Sequence, residues 1–149
     1  MKIALGADHA GFELKEKIKQ HLITQGFDLN DRGTDSSESV DYPDFARSVG
    51  EEVAAGKADW GILVCGAGIG MAIAANKVPG IRAANIHNEI EAQLSREHNN
   101  ANVLALGGRM LDQATALRIV DRWLSTAFGG GRHQRRIDKI SEMETAAST

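Results

Sequence analysis

The segment Ile62-Leu63-Val64-Cys65-Gly66-Ala67-Gly68-Ile69-Gly70 joins an apolar run to a loop that has glycine at every second position. We predict a buried strand at residues 60–65 and a helix at residues 71–76, with the glycine loop between them. This order puts the only cysteine of the chain at the carboxyl end of a strand. Open α/β sheets bind their ligands at that edge, so the segment predicts a ligand site at Cys65.

Two interpretations of Cys65 remain open at this point. A thiol beside a helix N-terminus can act as a base or a nucleophile, with loop N–H groups to receive negative charge. A lone cysteine is equally well explained as a small buried apolar residue. The loop itself matches neither a dinucleotide fingerprint, since Met71 stands where the third glycine belongs, nor a Walker phosphate loop, since no Lys-Ser or Lys-Thr follows.

Composition limits the function further. The chain has 149 residues, of which 42% are hydrophobic and 25% charged, and its net charge is -3. These values are typical of one globular domain and do not favour nucleic acid or an anionic membrane as a partner. No apolar stretch approaches the ~20 residues that span a bilayer. A single cysteine forms no internal disulfide, and the first residues lack a signal-peptide pattern, so we predict a cytoplasmic protein.

Hydrophobic periodicity predicts alternating strands and helices along the whole chain. The predicted strands are residues 2–6, 27–31, 60–65, 81–86 and 102–106. The predicted helices are residues 11–25, 45–55, 71–76, 89–97, a helix capped by Asp112, and residues 133–144. We therefore expect an α/β fold, a Rossmann-like three-layer sandwich with a five-stranded parallel sheet and an extra C-terminal helix. Residues 1–149 would form a single domain with a frayed tail from about residue 145.

Polar residues follow the first predicted strand, where Asp8 and His9 would share the carboxyl edge with Cys65. A carboxylate and an imidazole at that edge could move protons or bind polar ligand groups. Asp8 is equally well explained as a cap of the first helix.

A second polar group lies later in the chain. Arg132 and Arg136 are four residues apart at the start of the last helix, an arrangement suited to a phosphate monoester, although a solvated basic patch has the same pattern. His98 and Asn99 follow a predicted helix and would be explained either as functional residues or as its C-terminal end. The histidines show no paired ligand spacing and no Cys-x-x-Cys occurs, so we expect no metal site.

Taken together, these motifs resemble type B ribose-5-phosphate isomerase, in a family that also includes isomerases of galactose 6-phosphate and allose 6-phosphate. The resemblance runs from residue 2 to about residue 143. The motifs that carry it, in chain order, are Gly6-Ala7-Asp8-His9-Ala10-Gly11, Asp41-Tyr42-Pro43, Cys65-Gly66-Ala67-Gly68-Ile69-Gly70, Arg96-Glu97-His98-Asn99 and Gly130-Gly131-Arg132-His133.

The resemblance implies an aldose–ketose isomerisation through a cis-enediolate, without metal or organic cofactor, in the non-oxidative pentose phosphate pathway. It implies that Cys65 moves the proton between the two reacting carbons, that His98 assists opening of the sugar ring, and that Asp8 contacts the sugar hydroxyls. It further implies a homodimer or tetramer with active sites shared between subunits. The implied substrate contacts are Asp8, His9, Tyr42, Gly66, Ala67, Gly68, Ile69, Gly70, Asn99, Arg109, Arg132 and Arg136.

One position departs from the family pattern. Most members have threonine or serine where this chain has Ala67, and that hydroxyl is thought to assist the cysteine or the enediolate. Two alternatives follow, an isomerase of a different sugar phosphate such as allose 6-phosphate or galactose 6-phosphate, and a non-catalytic phosphosugar-binding module.

Overall fold

A computed structural model describes residues 1–147, which contain five strands and six helices. The strands are β1 Lys2–Ala7, β2 Asp28–Asp31, β3 Trp60–Cys65, β4 Ala83–Asn85 and β5 Val103–Gly107. The helices are α1 Phe12–Thr24, α2 Tyr42–Ala54, α3 Ile69–Ala75, α4 Glu89–Glu97, α5 Gln113–Ser125 and α6 Arg132–Ala147.

All five strands form one parallel sheet in the order β2-β1-β3-β5-β4. Each strand is therefore joined to the next along the chain by a helix that returns from the carboxyl edge of the sheet, where strands end, to the amino edge, where strands begin. The predicted α/β fold with a five-stranded parallel sheet and an extra C-terminal helix is confirmed.

Side chains that alternate along the strands form a core on each face of the sheet. Helices α1, α4 and α5 pack on one face, where Trp123 is fully buried and lies edge-on to Trp60, with ring centroids 5.7 Å apart. Helices α2 and α3 pack on the other face, and Cys65 belongs to that second core. The two cores make the central strands apolar on both faces, which explains their continuous hydrophobic runs.

Two predicted boundaries are wrong for identifiable reasons. Helix α2 is predicted to begin at residue 45, but Tyr42 and Pro43 form its first turn. Proline is favoured there because the first N–H groups of a helix have no partner within it. Helix α3 begins at Ile69, two residues before the predicted start, because Gly68 adopts φ +81 and its carbonyl accepts a hydrogen bond from the N–H of Ala72.

The C-terminal helix α6 is longer than predicted. It continues to Ala147, beyond the predicted end at residue 144, which fits the high helix propensity of alanine. The remainder of the tail that we expected to be frayed, residues 148–149, lies outside the described residues. Within residues 1–147, no helix combines the length and the apolar character needed to cross a membrane.

Candidate active site

Cys65 ends strand β3 and is almost fully buried, with 6% of its surface exposed. The N–H of Gly68 donates a hydrogen bond to Sγ at 3.2 Å. A backbone donor in this position stabilises negative charge on the sulfur. The loop therefore holds the thiol in a fixed orientation at the carboxyl edge of the sheet.

Two glycines of this segment lie where a side chain would not fit. A Cβ on Gly68 would lie 2.6 Å from Oδ1 of Asn85 and 2.9 Å from the carbonyl carbon of Leu106, in addition to the strain of its positive φ. A Cβ on Gly70 would overlap the ring of Tyr42. Tyr42, at the start of α2, thus lies directly against this segment. A residue that contacts the substrate would need this position.

Asp8 follows β1 and is buried beside β3, with its backbone N–H bonded to the carbonyl of Val64 at 3.2 Å. Its Oδ1 accepts hydrogen bonds from the N–H groups of Ala10 and Gly11, at 3.0 and 3.1 Å. The N-cap of α1 is Gly11, so Asp8 closes the turn before the helix rather than occupying the cap position itself. The carboxylate consequently has a structural contact and also faces the carboxyl edge beside Cys65.

His9 and Arg109 complete the group at this edge. Nδ1 of His9 accepts a hydrogen bond from the N–H of Val40 at 3.2 Å, so the proton of the neutral ring is on Nε2. Arg109 follows β5, and its N–H donates to the carbonyl of Gly66 at 3.0 Å. A Cβ on Gly66 would lie 3.7 Å from Nη1 of Arg109, so this guanidinium runs alongside the glycine loop.

The other predicted site residues lie together elsewhere. His98 forms the C-cap of α4, and Asn99 is exposed next to it. The ring of His98 stacks on that of His133, with centroids 4.3 Å apart and planes 15° from parallel. His133 lies in the first turn of α6 between Arg132 and Arg136, which are both exposed.

Positive charge dominates this second group. Burial lowers the pKa of His133, and the nearby charges of His98, Arg132 and Arg136 lower it further. Two exposed guanidinium groups beside two stacked imidazoles form a surface suited to a phosphate group.

The two groups lie at opposite edges of the sheet in one chain. Helix α4 starts after β4, at the carboxyl edge, and ends at the amino edge, where His98 precedes β5. Strand β5 has five residues, so the edges are separated by roughly 15 Å of strand. The structure thus brings together Asp8, His9, Tyr42, Cys65, residues 66–70 and Arg109, and it brings together His98, Asn99, Arg132 and Arg136, but it does not bring the two groups together within one chain.

Sequence reasoning missed Asn85 at the carboxyl edge. Its Oδ1 is buried against Gly68 and has no hydrogen-bond partner within residues 1–147. The residue ends β4, so the rule that selected Asp8 and Cys65, a polar side chain at a strand end, would have found it. The predicted strand at residues 81–86 was too long and placed Asn85 in its interior.

Within residues 1–147, no group of three or more His, Cys, Asp or Glu residues is arranged to hold a metal ion.

Comparison with known proteins identifies the family. A family model described as Ribose/Galactose Isomerase matches residues 3–140. The chain belongs to this family. Its relatives include ribose-5-phosphate isomerase B of Escherichia coli (strain K12), which is 50% identical over 143 residues, 96% of each chain.

Solved structures of the ribose/galactose isomerase family superpose closely on this chain. Ribose-5-phosphate isomerase B of Clostridium thermocellum matches with a TM-score of 0.98 and 52% identity over 99% of each chain. The enzyme of Mycoplasma genitalium, whose structure contains bound ribulose-5-phosphate, matches with a TM-score of 0.94 and 45% identity, covering 97% of this chain and 96% of that one. The resemblance drawn from the sequence motifs is thereby confirmed.

Proposed function

We propose that this chain interconverts ribose 5-phosphate and ribulose 5-phosphate, in active sites that each combine the carboxyl edge of one copy with the amino edge of another. The separation of the candidate residues carries this proposal. A base and hydroxyl-binding groups lie at one edge, whereas an imidazole pair and two arginines lie at the other. The residues that the resemblance assigns to one reaction are thus divided between the two edges, and a second copy is needed to bring them together.

The proton transfer is assigned to Cys65. The thiolate takes the proton from C2 of the open-chain aldose and returns a proton to C1, while a proton passes from O2 to O1. The intermediate cis-enediolate carries negative charge on its oxygens, and its stabilisation is assigned to the backbone N–H groups of residues 66–70. The contact of the Gly68 N–H with Sγ supports this assignment, because it brings the loop against the proposed base. Burial of Cys65 supports this role, because a base works best where water does not compete for the proton.

Ring opening is assigned to His98 of the second copy. Opening the furanose breaks the bond between C1 and the ring oxygen, removes the proton from the C1 hydroxyl and adds a proton to the ring oxygen. An imidazole can do both near neutral pH. The stacked ring of His133 supports this role, because it limits rotation of the His98 side chain.

The phosphate group is assigned to Arg132 and Arg136, with His9 and Arg109 facing it from the other copy. The phosphate is remote from the reacting carbons, so its binding energy can orient the sugar without changing the chemistry at C1 and C2. Four basic side chains from two copies would neutralise a dianion at the boundary between the copies.

Exposed apolar side chains beside the carboxyl edge support the association of two copies. Ile69 and Ile73 on α3 are 55% and 60% exposed, and Ile90 and Leu94 on α4 are 70% and 41% exposed. Each pair is spaced by four residues and so forms one stripe on its helix. Clustered exposed isoleucine and leucine are uncommon on a monomer surface and are typical of an interface. These stripes support the proposed dimer or tetramer with shared sites.

Ala67 is compatible with this activity. Loss of one hydrogen-bond donor costs roughly 10²–10³-fold in comparable sites, which still leaves a working enzyme. The cytoplasmic location and the place in the pentose phosphate pathway remain predictions.

The proposal is tested by incubating purified protein with ribose 5-phosphate and measuring ribulose 5-phosphate. A mock preparation from host cells that do not express the chain serves as the blank for isomerases of the host, and Cys65→Ala is assayed beside the parent. Allose 6-phosphate and galactose 6-phosphate are assayed in parallel, because a higher kcat/KM on either would mean that the chain acts on a different sugar. Folded protein that binds these phosphates without turnover would instead identify a binding module.

A further inference from the structure

Two arginines, Arg82 and Arg96, donate hydrogen bonds to the turn that follows α4, residues 98–101. We call it the His98 turn. Nε of Arg82 donates to the carbonyl oxygens of Asn99 and Asn100, at 3.2 and 3.0 Å. Nη1 of Arg96 donates to the carbonyl of Ala101 at 2.6 Å and to Oδ1 of Asn100 at 3.1 Å. Three consecutive carbonyls therefore accept hydrogen bonds from guanidinium groups.

The backbone of the His98 turn explains why such support is needed. Asn100 has φ 46, in the left-handed region, and it is the only residue other than glycine with positive φ among residues 1–147. This conformation is unfavourable for residues with a side chain, so it persists where neighbouring contacts stabilise it. The bonds from Arg82 and Arg96 act on this residue and on its two neighbours.

Arg96 is anchored in the core. Its side chain is buried, with 6% of the residue exposed, and its guanidinium carbon lies 5.2 Å from the ring centroid of Trp60 and 5.4 Å from that of Trp123. Cation–π contacts on two sides fix the plane of the guanidinium. The His98 turn is thereby tied to the buried aromatic pair beneath the amino edge.

Neither arginine forms an ion pair that would explain its position, although the charge of Glu144 on α6 acts on Arg82. In the part of the chain that the structure describes, no carboxylate lies within 4.0 Å of Arg82 or Arg96. Burial lowers the pKa of Arg96, and the charge of Arg82 lowers it further. Arg96 is buried beside a second cation, which costs stability, so a simple role in stability is a poor explanation for Arg96 in this place.

We propose that Arg82 and Arg96 are positioning residues for His98. They hold the His98 turn in the conformation that presents the imidazole to the sugar ring bound at the partner's carboxyl edge. This inference rests on the proposed function, in which His98 opens the ring. Neither arginine touches the substrate.

A double-mutant cycle on kcat for ribose 5-phosphate tests the inference. Arg82→Ala is made in the parent and in a His98→Ala background, and Arg47→Ala, an exposed arginine on α2, is the matched control in both. If Arg82 acts through His98, Arg82→Ala lowers kcat about tenfold in the parent and less than about twofold in the His98→Ala background. Arg47→Ala leaves kcat unchanged in both.

A second measurement reports the turn directly. Amide hydrogen exchange of the peptide that covers residues 98–101 should accelerate at least about tenfold in Arg82→Ala, while peptides of the sheet keep their protection. Arg96→Lys, which keeps the charge but loses the planar fork, should change kcat and exchange in the same direction. This variant retains a basic side chain between the two tryptophans and avoids an empty site in the core.

The outcomes separate the inference from the proposed function. Equal losses in both backgrounds would mean a general structural role and would overturn the inference, as would faster exchange without loss of kcat. An inactive parent would refute the proposed function itself before any arginine variant is compared. An active parent with no effect of His98→Ala would remove the residue through which the arginines are inferred to act.

Discussion

The carboxyl edge of the sheet presents buried and immobilised groups, whereas the amino edge presents exposed and positively charged ones. Cys65 and Asp8 are 6% and 7% exposed, and both accept hydrogen bonds from backbone N–H groups of adjoining loops. Exposed residues at the amino edge include Arg132 and Arg136, near the start of α6, and Asn99, which follows α4. Proton abstraction benefits from a dry and rigid environment, and capture of a phosphate benefits from accessible charge.

Dividing the residues between two edges allows one small chain to provide both a dry environment for proton abstraction and accessible charge for the phosphate. Each edge keeps the environment that its own chemistry needs, and association of two copies would bring the edges together. Substitutions at one edge should therefore affect a different step from substitutions at the other.

Cys65→Ala removes the proposed base. We expect kcat for ribose 5-phosphate to fall by ~10³-fold or more, since a positioned general base contributes roughly 10²–10⁴-fold and no other thiol is present. Because alanine fills most of the same buried space, the melting temperature should change little. Retained turnover after Cys65→Ala would assign the proton transfer to another residue.

Arg132→Ala removes charge from the amino edge. The KM for ribose 5-phosphate should rise about 10–100-fold, as expected for loss of a charge-assisted hydrogen bond worth ~1.5–3 kcal/mol, while kcat changes less. Arg47→Ala is the control, because Arg47 is also exposed but lies on α2 and belongs to neither group of candidate site residues. Equal increases in KM for the two variants would point to a diffuse electrostatic effect instead of a phosphate site.

Gly68→Ala tests whether the carboxyl edge depends on its close packing. Both Gly68 and Gly56 have positive φ, at +81 and +74, but a Cβ at Gly56 would meet nothing within 4 Å. Each substitution should cost ~1–2 kcal/mol of unfolding free energy through backbone strain. Only Gly68→Ala should also lower kcat, at least tenfold, because the crowding by Asn85 and Leu106 displaces the donor to Cys65. Chemical denaturation and steady-state kinetics of the two variants give the comparison.

The smallest expected effect is a pH dependence of the melting temperature that arises from His133 at the amino edge. Its pKa in the folded chain is lowered below the ordinary value of 6.5, so the folded state binds this proton less readily than the unfolded state does. The stability associated with neutral His133 is therefore complete above about pH 6.5 and is lost as the pH falls through the folded-state pKa. His133→Gln should reduce the fall in melting temperature between pH 7 and pH 5, and an unchanged pH profile would contradict this.

Much of the fold follows from local sequence patterns. Leu14, Ile18 and Leu22 of α1 have the spacing of one helix face, and the apolar run before Cys65 has the length of a buried strand. Asp112 was predicted to cap α5, and its side chain accepts the N–H of Thr115 at 2.8 Å. These features depend on neighbours within one or two turns, which the sequence displays directly.

The arrangement of the site depends on contacts that a sequence does not display. The position of β5 between β3 and β4 depends on crossover connections, which no local pattern displays. Arg82 lies sixteen or more residues before the turn that it holds, and no local pattern connects them. Asn85 escaped notice because the ends of a three-residue edge strand are poorly defined by hydrophobicity.

Each active site is proposed to use Cys65 of one copy and His98 of another, and a mixed assembly tests this directly. Cys65→Ala and His98→Ala chains are co-expressed with different affinity tags, and the mixed assembly is purified over both. If the sites are shared, each mixed pair contains one site with both substitutions and one with neither, so it recovers roughly half of the parental kcat per pair. If each chain forms its own complete site, every site in the mixed assembly carries one substitution, and activity no higher than the mean of the two separate variants would contradict the account.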